Sequence, residues 1–309
     1  MRYETGGAFR MALESRLRSE ALETGIPLAR LRKTVAFDRL LARMMSAEQA
    51  GHWLLKGGLA LQVRMQEGAR TTKDIDVLLR DTSEDAHHML AEASKVGLRD
   101  WFEFEVGPAQ TLTGEAGVRV PVNCRLDSRE FESFHVDIGL GDPVVADPEP
   151  FVITRLLEFA EIPPTSVPCY PMSQHLAEKI HALTRPHGNR DNSRVKDLAD
   201  VVIIAEGTEL ESRQAREALQ ATFAARDTHS APAQLPRFPR SWDSTYRRLA
   251  SEGGVGARAL AEGVVIAEAF ANPLLDGSAS GTWTCGERRR WALMPPAPES
   301  SAGSPTRPG

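Results

Sequence analysis

Leu54-Leu55-Lys56-Gly57-Gly58 leads, sixteen residues after Gly58, into Asp74-Ile75-Asp76. His52–Leu55 reads as a short strand, Gly57-Gly58 as a turn and Leu59–Met65 as the start of a helix. Asp74–Leu79 reads as a second strand, with Ile75, Val77 and Leu79 on one face. Side chains two apart on a strand share a face, so Asp74 and Asp76 point the same way. Two such carboxylates repel, and a hard divalent cation bound through oxygen neutralises them. A glycine pair where a strand enters a helix lets backbone N–H groups approach a phosphate. One element then suits a metal and the other a triphosphate, the two needs of phosphoryl or nucleotidyl transfer. A lone DxD is usually a pair of surface aspartates, and a lone Gly-Gly is usually a tight turn. It is their order and spacing in one β-turn-α-β unit that carries the reading.

Outward from this unit the chain divides into four parts. Residues 1–50 form N-terminal helices: Phe9, Leu13, Leu17 and Ala21 recur every four positions until Gly25, and Pro27 opens a second helix with Leu28, Leu31, Val35, Leu40 and Met44 inward. Arg30, Arg32, Lys33, Arg39 and Arg43 on that helix read as a solvated face rather than an RNA-contacting stripe. Residues 51–150 form a mixed-sheet α/β (α+β) core. A helix is expected over 83–97, then strands at Phe102–Val106, Val118–Cys124 and Phe134–Ile138, the last two joined by a turn at Asp127–Glu130. Asp137 lies between Val136 and Ile138 and so faces away from them, a candidate third carboxylate as general base or metal ligand. Residues 151–275 form a helical C-terminal part. It is reached through a proline-rich stretch, 143–171, read as an extended connection, with Ser173 and Asn192 or Ser193 as helix caps. Residues 276–309, rich in glycine, serine and proline, are expected to be disordered, with Trp283 and Trp291 the features that argue otherwise.

A second polar cluster lies on two consecutive helices. In His175–Leu183, periodicity makes Lys179 an ordinary residue beside the apolar face of Leu176, Ile180 and Leu183. In Arg194–Asp200, Asp197 and Asp200 stand one turn apart, and Lys196 can pair with Asp200 at the surface. Lys179 could instead clamp phosphates, with an aspartate fixing it in place.

Composition narrows the classes. The 309 residues carry a net charge of −5, which excludes a generally basic nucleic-acid coat but not a local basic groove. No apolar run approaches membrane-span length, and Met1–Arg10 holds no apolar signal core. Cys124, Cys169 and Cys285 are scattered and odd in number. The expectation is a cytoplasmic protein with no membrane partner.

Five pieces in order resemble the AbiEii / MenT-type nucleotidyltransferase toxin family, within the polymerase-β-like nucleotidyltransferase superfamily. They are Lys56–Leu61, Arg70–Asp76, Val136-Asp137-Ile138, Ala177-Glu178-Lys179 and Arg194–Asp200, which span the middle half of the chain. The resemblance implies a toxin of an abortive-infection or toxin–antitoxin pair. Such a toxin transfers NMP from an NTP to tRNA or another RNA with Mg²⁺ or Mn²⁺, releases pyrophosphate and inhibits translation. It also implies a cognate antitoxin. Carried over by residue, Asp74 and Asp76 are the metal ligands, Lys56 the lysine before the glycines, Lys179 the helix lysine and Asp197 or Asp200 the late acidic residue; with Asp137, read from its strand, the expected catalytic set is Asp74, Asp76, Asp137, Lys179 and Asp197. Lys56, Gly57, Gly58, Thr72, Lys179, Lys196 and Asp200 contact the nucleotide. Leu59 stands where many relatives have a hydroxyl residue, and Thr72 where relatives often have serine. Two other readings remain: a small-molecule acceptor such as an aminoglycoside, or a protein hydroxyl; and a catalytically retired core kept as a binding module. The intact Asp74 and Asp76 disfavour the second.

Overall fold

Helix α1 (Gly6–Thr24) starts where the Thr5 hydroxyl accepts the Ala8 N–H and ends at Gly25, whose left-handed φ of 73° suits a helix terminus. After Pro27, α2 (Leu28–Ser46) packs back against it. The computed structural model describes residues 1–47, 50–65, 72–80, 85–112, 116–186, 193–285 and 290–292. Next come β1 (Trp53–Lys56), α3 (Gly57–Met65), β2 (Ile75–Leu79) and α4 (Ala86–Ser94). Then follow β3 (Phe102–Val106), β4 (Gln110–Thr111), β5 (Gly117–Leu126), β6 (Arg129–Leu140), β7 (Glu149–Val152) and β8 (Ser166–Cys169). The C-terminal part comprises α5 (Met172–Thr184), α6 (Val195–Gly207), β9 (Leu210–Glu211), α7 (Ser212–Arg226), α8 (Asp243–Glu252), α9 (Leu260–Leu275), β10 (Thr282–Thr284) and β11 (Arg290–Ala292).

Among the described residues β1–β8 form one mixed sheet in the order β3-β5-β6-β2-β1-β8-β7, with β4 on β5, and β9–β11 form a second, in the order β11-β10-β9. The β3-β5-β6 meander is antiparallel, β6 runs parallel to β2, and β1 joins β2 antiparallel and β8 parallel. Strand alternation separates the two faces. Trp53, Leu55, Ile75, Val77, Val136 and Ile138 bury against α1, α2 and α4 in the N-terminal core. Leu54, Leu78, Lys56, Asp76 and Asp137 belong to the opposite face, which α5 and α6 overlook. A second core joins α5–α9 through Leu176, Ile180, Leu198, Tyr246 and Phe270.

Several expectations are corrected. The proline-rich connection contributes two strands, β7 and β8, with Pro150 on the edge strand β7, where a missing N–H does least harm, opposite Pro168 on β8. Helix α5 begins after Pro171, and Ser173 is buried in its first turn rather than capping it. Helix α6 follows Arg194, with no side-chain cap; Asn192 lies outside the described residues. The expected helix over 83–97 is α4, capped by Asp85; 83 and 84 also lie outside. Order extends past 276: β10 pairs with β9 and β11, Trp283 is fully buried, and its indole N–H donates to the Ala205 carbonyl at 2.8 Å. Trp291 stacks on Phe270 at 5.6 Å. Burying each large ring contributes roughly 1.5–3 kcal/mol, enough to order a short segment. The expected disorder of 293–309 falls outside the described residues. Arg39 and Arg43 are not solvated. They are buried with Asp38, Asp100 and Thr165, so those charges on α2 are structural. No described helix is long and apolar enough to cross a membrane.

Candidate active site

Register across four strands sets Lys56 beside Asp76, Asp76 beside Asp137 and Asp137 beside Arg119. Chemistry-bearing side chains therefore form a line on the sheet face away from the N-terminal core. Asp74, just before β2, shares that side; its Oδ1 is 3.4 Å from both the backbone N and Nδ1 of His135. Burial is the main reason the Asp76 carboxyl is pushed up to about 6; Asp137 adds to the effect, while Lys179, Lys56 and the Gly58 N–H oppose it. Asp137 differs from a free candidate base. Arg119 donates to both its oxygens, Nε to Oδ1 at 2.7 Å and the second nitrogen to Oδ2 at 2.6 Å. These bonds hold the Arg119 guanidinium well above its ordinary range.

The glycine turn serves the carboxylates first. Gly57 has φ +66°, and a Cβ there would fall 1.9 Å from Asp76 Oδ2. The Gly58 N–H faces the Asp76 carboxyl and opposes its rise. Thr72, 9% exposed, donates its hydroxyl to the Asp74 carbonyl at 3.0 Å and so shapes the approach to β2. Arg70 and Thr71 lie outside the described residues. Gly57→Ala is expected to cost about 1–2 kcal/mol for the left-handed backbone alone. The clash adds to that, and a melting curve measures the sum. Gly57→Ala/Asp76→Gly should recover the part due to the clash; equal melting of the two variants would show that Asp76 does not need the space.

Two lysines stand over the line. Lys56 Nζ lies 2.6 Å from Asp142 Oδ2 and 3.2 Å from Glu178 Oε1. Burial draws its pKa down, but Glu178 and Asp142 outweigh that and leave it raised. Arg226 closes this network, at 3.1 Å from Asp142 and 3.3 Å from Glu178. Lys179 lies 3.0 Å from both Asp197 Oδ1 and Asp200 Oδ2. Asp200 is fully buried behind Lys179, whereas Lys196 is exposed at the rim. The expected surface pairing of Lys196 with Asp200 gives way to this buried arrangement.

These elements enclose a cleft of about 760 Å³ that Lys56, Gly57, Gly58, Thr72, Asp74, Asp76, Asp137, Lys179, Lys196 and Asp197 all line. A second cavity of about 430 Å³ shares Lys56, Asp76, Asp137 and Arg119 with it and adds Arg185; Arg194 and Arg226 line both. Arg119, Asp142, Glu178 and Arg226 escaped sequence reasoning. Glu178 adjoins Lys179 in a quoted motif, and Arg119 alternates with Val118 and Val120, so both carried a signal. Asp142 and Arg226, distant in sequence and not periodic with any motif, carried none. His175 on α5 is also part of the wall; its ring is 1% exposed and its nitrogens have no hydrogen-bond partner among the described residues. Burial first, then Lys179, keep it neutral.

A family model described as the nucleotidyl transferase AbiEii toxin of type IV toxin–antitoxin systems matches residues 39–271. No curated protein matches the sequence. Among solved structures, the chain is similar to MenT4, a nucleotidyltransferase toxin from Mycobacterium tuberculosis H37Rv. Identity is 15%, 86% of this chain and 97% of that one are covered, and the TM-score is 0.52. At that identity the likeness speaks for the fold. The family match spans three quarters of the sequence, including the glycine turn, Asp74, Asp76, Asp137 and both helices that carry Lys179 and Asp197. The chain belongs to the AbiEii nucleotidyltransferase toxin family of type IV toxin–antitoxin systems.

Proposed function

We propose that this protein transfers NMP from an NTP to the 3′ end of an RNA, with tRNA the first candidate, and thereby stops translation in the cytoplasm until a cognate antitoxin opposes it. The carrying observation is the in-register line of Lys56, Asp76, Asp137 and Arg119 facing Lys179 in one cleft. The acceptor oxygen bonds to the α-phosphorus as the bond to pyrophosphate breaks, and the hydroxyl proton passes to a carboxylate. Lys179, held by two aspartates, donates charge-assisted hydrogen bonds to the triphosphate. Asp137 receives the proton.

Among the described residues no three His, Cys, Asp or Glu side chains form a ready-made metal cage. That suits Mg²⁺ or Mn²⁺ in this chemistry, which rests on one or two carboxylates and completes its shell with substrate phosphates. The donor chemistry of two neighbouring carboxyls on the cleft wall, Asp76 seated where Gly57 carries no side chain, fits such a cation, with Asp74 and Asp76 as ligands. When bound, it supplies Lewis-acid stabilisation of the developing phosphate charge.

Charge favours RNA over a small cationic acceptor. With the glycine turn and Lys179 in one lobe, in-line geometry brings the acceptor through the other, which Arg119, Arg185, Arg194 and Arg226 line. Arginines attract phosphodiesters and repel an aminoglycoside. The test is incubation of the pure protein with each α-labelled NTP, Mg²⁺ and total cellular RNA. Labelled RNA is expected, and label entering only small molecules or protein would overturn the acceptor. In cells, expression of the wild type should arrest growth and Asp74→Ala should not; equal growth of the two would remove the toxin reading.

A further inference from the structure

We propose that Arg119 is a positioning residue that holds Asp137 in reserve, and that a phosphate-bearing acceptor releases it by drawing the guanidinium away. This builds on the nucleotidyl-transfer reading above. A carboxylate whose two oxygens both accept from a guanidinium has its lone pairs engaged, so a proton donor or a cation must displace those bonds to reach it. While the pair is made, Asp137 is poorly placed to accept a proton.

The protein shows how it builds a permanent pair. Arg39 and Arg43 are 4% and 3% exposed, enclosed by Asp38 and Asp100 within the N-terminal core. Arg119 is different: its side chain is 41% exposed, although the strand register delivers it to Asp137, which is 16% exposed. The backbone holds the pair in line, and packing leaves the guanidinium able to leave. Arg119 also lines both lobes, at the boundary between the glycine turn with Lys179 and the arginine-lined entrance.

The surrounding charges explain why an arginine is there. Asp142 and Glu178 answer Lys56, and Asp197 and Asp200 answer Lys179. Arg119 answers Asp137 and also feels Asp74 and Asp76. An incoming phosphodiester offers it an alternative anion of matching fork geometry, already at the arginine-lined lobe. Asp137 is then free when an acceptor hydroxyl is in place. Without an acceptor, water attack at the α-phosphorus, which would give NMP and pyrophosphate with the water proton passing to Asp137, is held back.

The test uses Mn²⁺ alone as the probe. Binding to the nucleotide-free protein is followed by the loss of the free-ion electron paramagnetic resonance signal for wild type, Arg119→Gln, Arg119→Lys and Arg119→Gln/Asp137→Asn. Arg119→Gln should bind Mn²⁺ about tenfold more tightly, because a competing cation has gone. Arg119→Lys should lie between, since a compact ammonium does not fork onto both oxygens. The double variant should return to the wild-type affinity. Acceptor-free hydrolysis of NTP by Arg119→Gln should rise at least about fivefold, with KM for the acceptor RNA also raised. Unchanged or weaker Mn²⁺ binding by Arg119→Gln overturns the proposal whatever the activity. If melting shows that this variant is unfolded, Arg119→Lys decides: affinity equal to wild type overturns it. Absence of transfer by the wild type to any acceptor would sink the nucleotidyl-transfer reading, and the Mn²⁺ titration would still decide whether Arg119 masks Asp137.

Discussion

Asp76→Asn is expected to abolish nucleotidyl transfer and, in the nucleotide-free protein, to raise the melting temperature at pH 8. The first effect follows from removing a cation ligand in the middle of the carboxylate line, a loss of at least about 3 kcal/mol of transition-state stabilisation, or roughly a hundredfold in rate. The second follows from the folded-state pKa of about 6, against an ordinary 3.8, caused mainly by burial. Below about pH 4 the folded and unfolded chains both hold this proton. Between about 4 and 6 the folded protein keeps a proton that the unfolded chain has released, so stability falls as pH rises. Above about 6 the full penalty of burying the anion is present, and asparagine removes it. The gain should therefore be present at pH 8 and fade toward pH 4. Asp74→Asn, at a carboxylate whose side chain is 34% exposed, should lose transfer without that gain. Transfer surviving in Asp76→Asn at millimolar Mg²⁺ would dismiss the site; a gain of equal size at both pH values would dismiss the electrostatic account of it.

Lys179→Ala should lower both activity and stability. Periodicity alone places Lys179 beside an apolar face, where truncation would leave stability almost unchanged. The structure reverses that expectation, because Asp200 is fully buried with its carboxylate 3.0 Å from Lys179. Removing one member of a buried ion pair leaves an uncompensated charge and costs about 3–5 kcal/mol. Loss of the phosphate contact adds an effect on kcat/KM of at least about tenfold, or 1.4 kcal/mol. Lys179→Ala/Asp200→Asn separates the two: it should recover much of the melting temperature but none of the activity. Recovery of both would make Lys179 a scaffold residue. A single variant that melts like wild type would show that solvent, not Lys179, compensates Asp200.

The pair that holds Asp137 shows where sequence reading stops. Alternation of Val118, Val120, Val122 and Cys124 puts Arg119 on the polar face of β5, and Val136 and Ile138 do the same for Asp137. Their meeting depends on a bulge between Cys124 and Arg125, which shifts the register by one residue. A shift of one residue changes which face opposes which. Counting outward from the Asp127–Ser128 turn without the bulge would set Asp137 opposite Val118, a mismatch of polarity that the alternation itself argues against. Trp283 is a similar case. Glycine and serine around it suggest disorder, and partners distant in sequence, among them Ala205 on α6 and Phe270 on α9, make its burial favourable.

By itself the sequence determined the strand-turn-helix-strand unit around Gly57 and the faces that β2, β5 and β6 present. Side-chain period along a strand is a local property, so it was enough to place Asp74 and Asp76 together and Ile75, Val77 and Leu79 opposite. Glycine's freedom at positive φ made the Gly57 turn legible, and the order of five short motifs pointed to the family. Only the tertiary structure decided which charges meet and which are buried. Lys56 reaches Asp142 and Glu178, which Arg226 also joins, Arg43 reaches Asp100, and Lys179 covers Asp200. Those pairings depend on strand register, helix packing and desolvation. None of these is encoded in the spacing of residues along one element, because each arises between elements far apart in the chain.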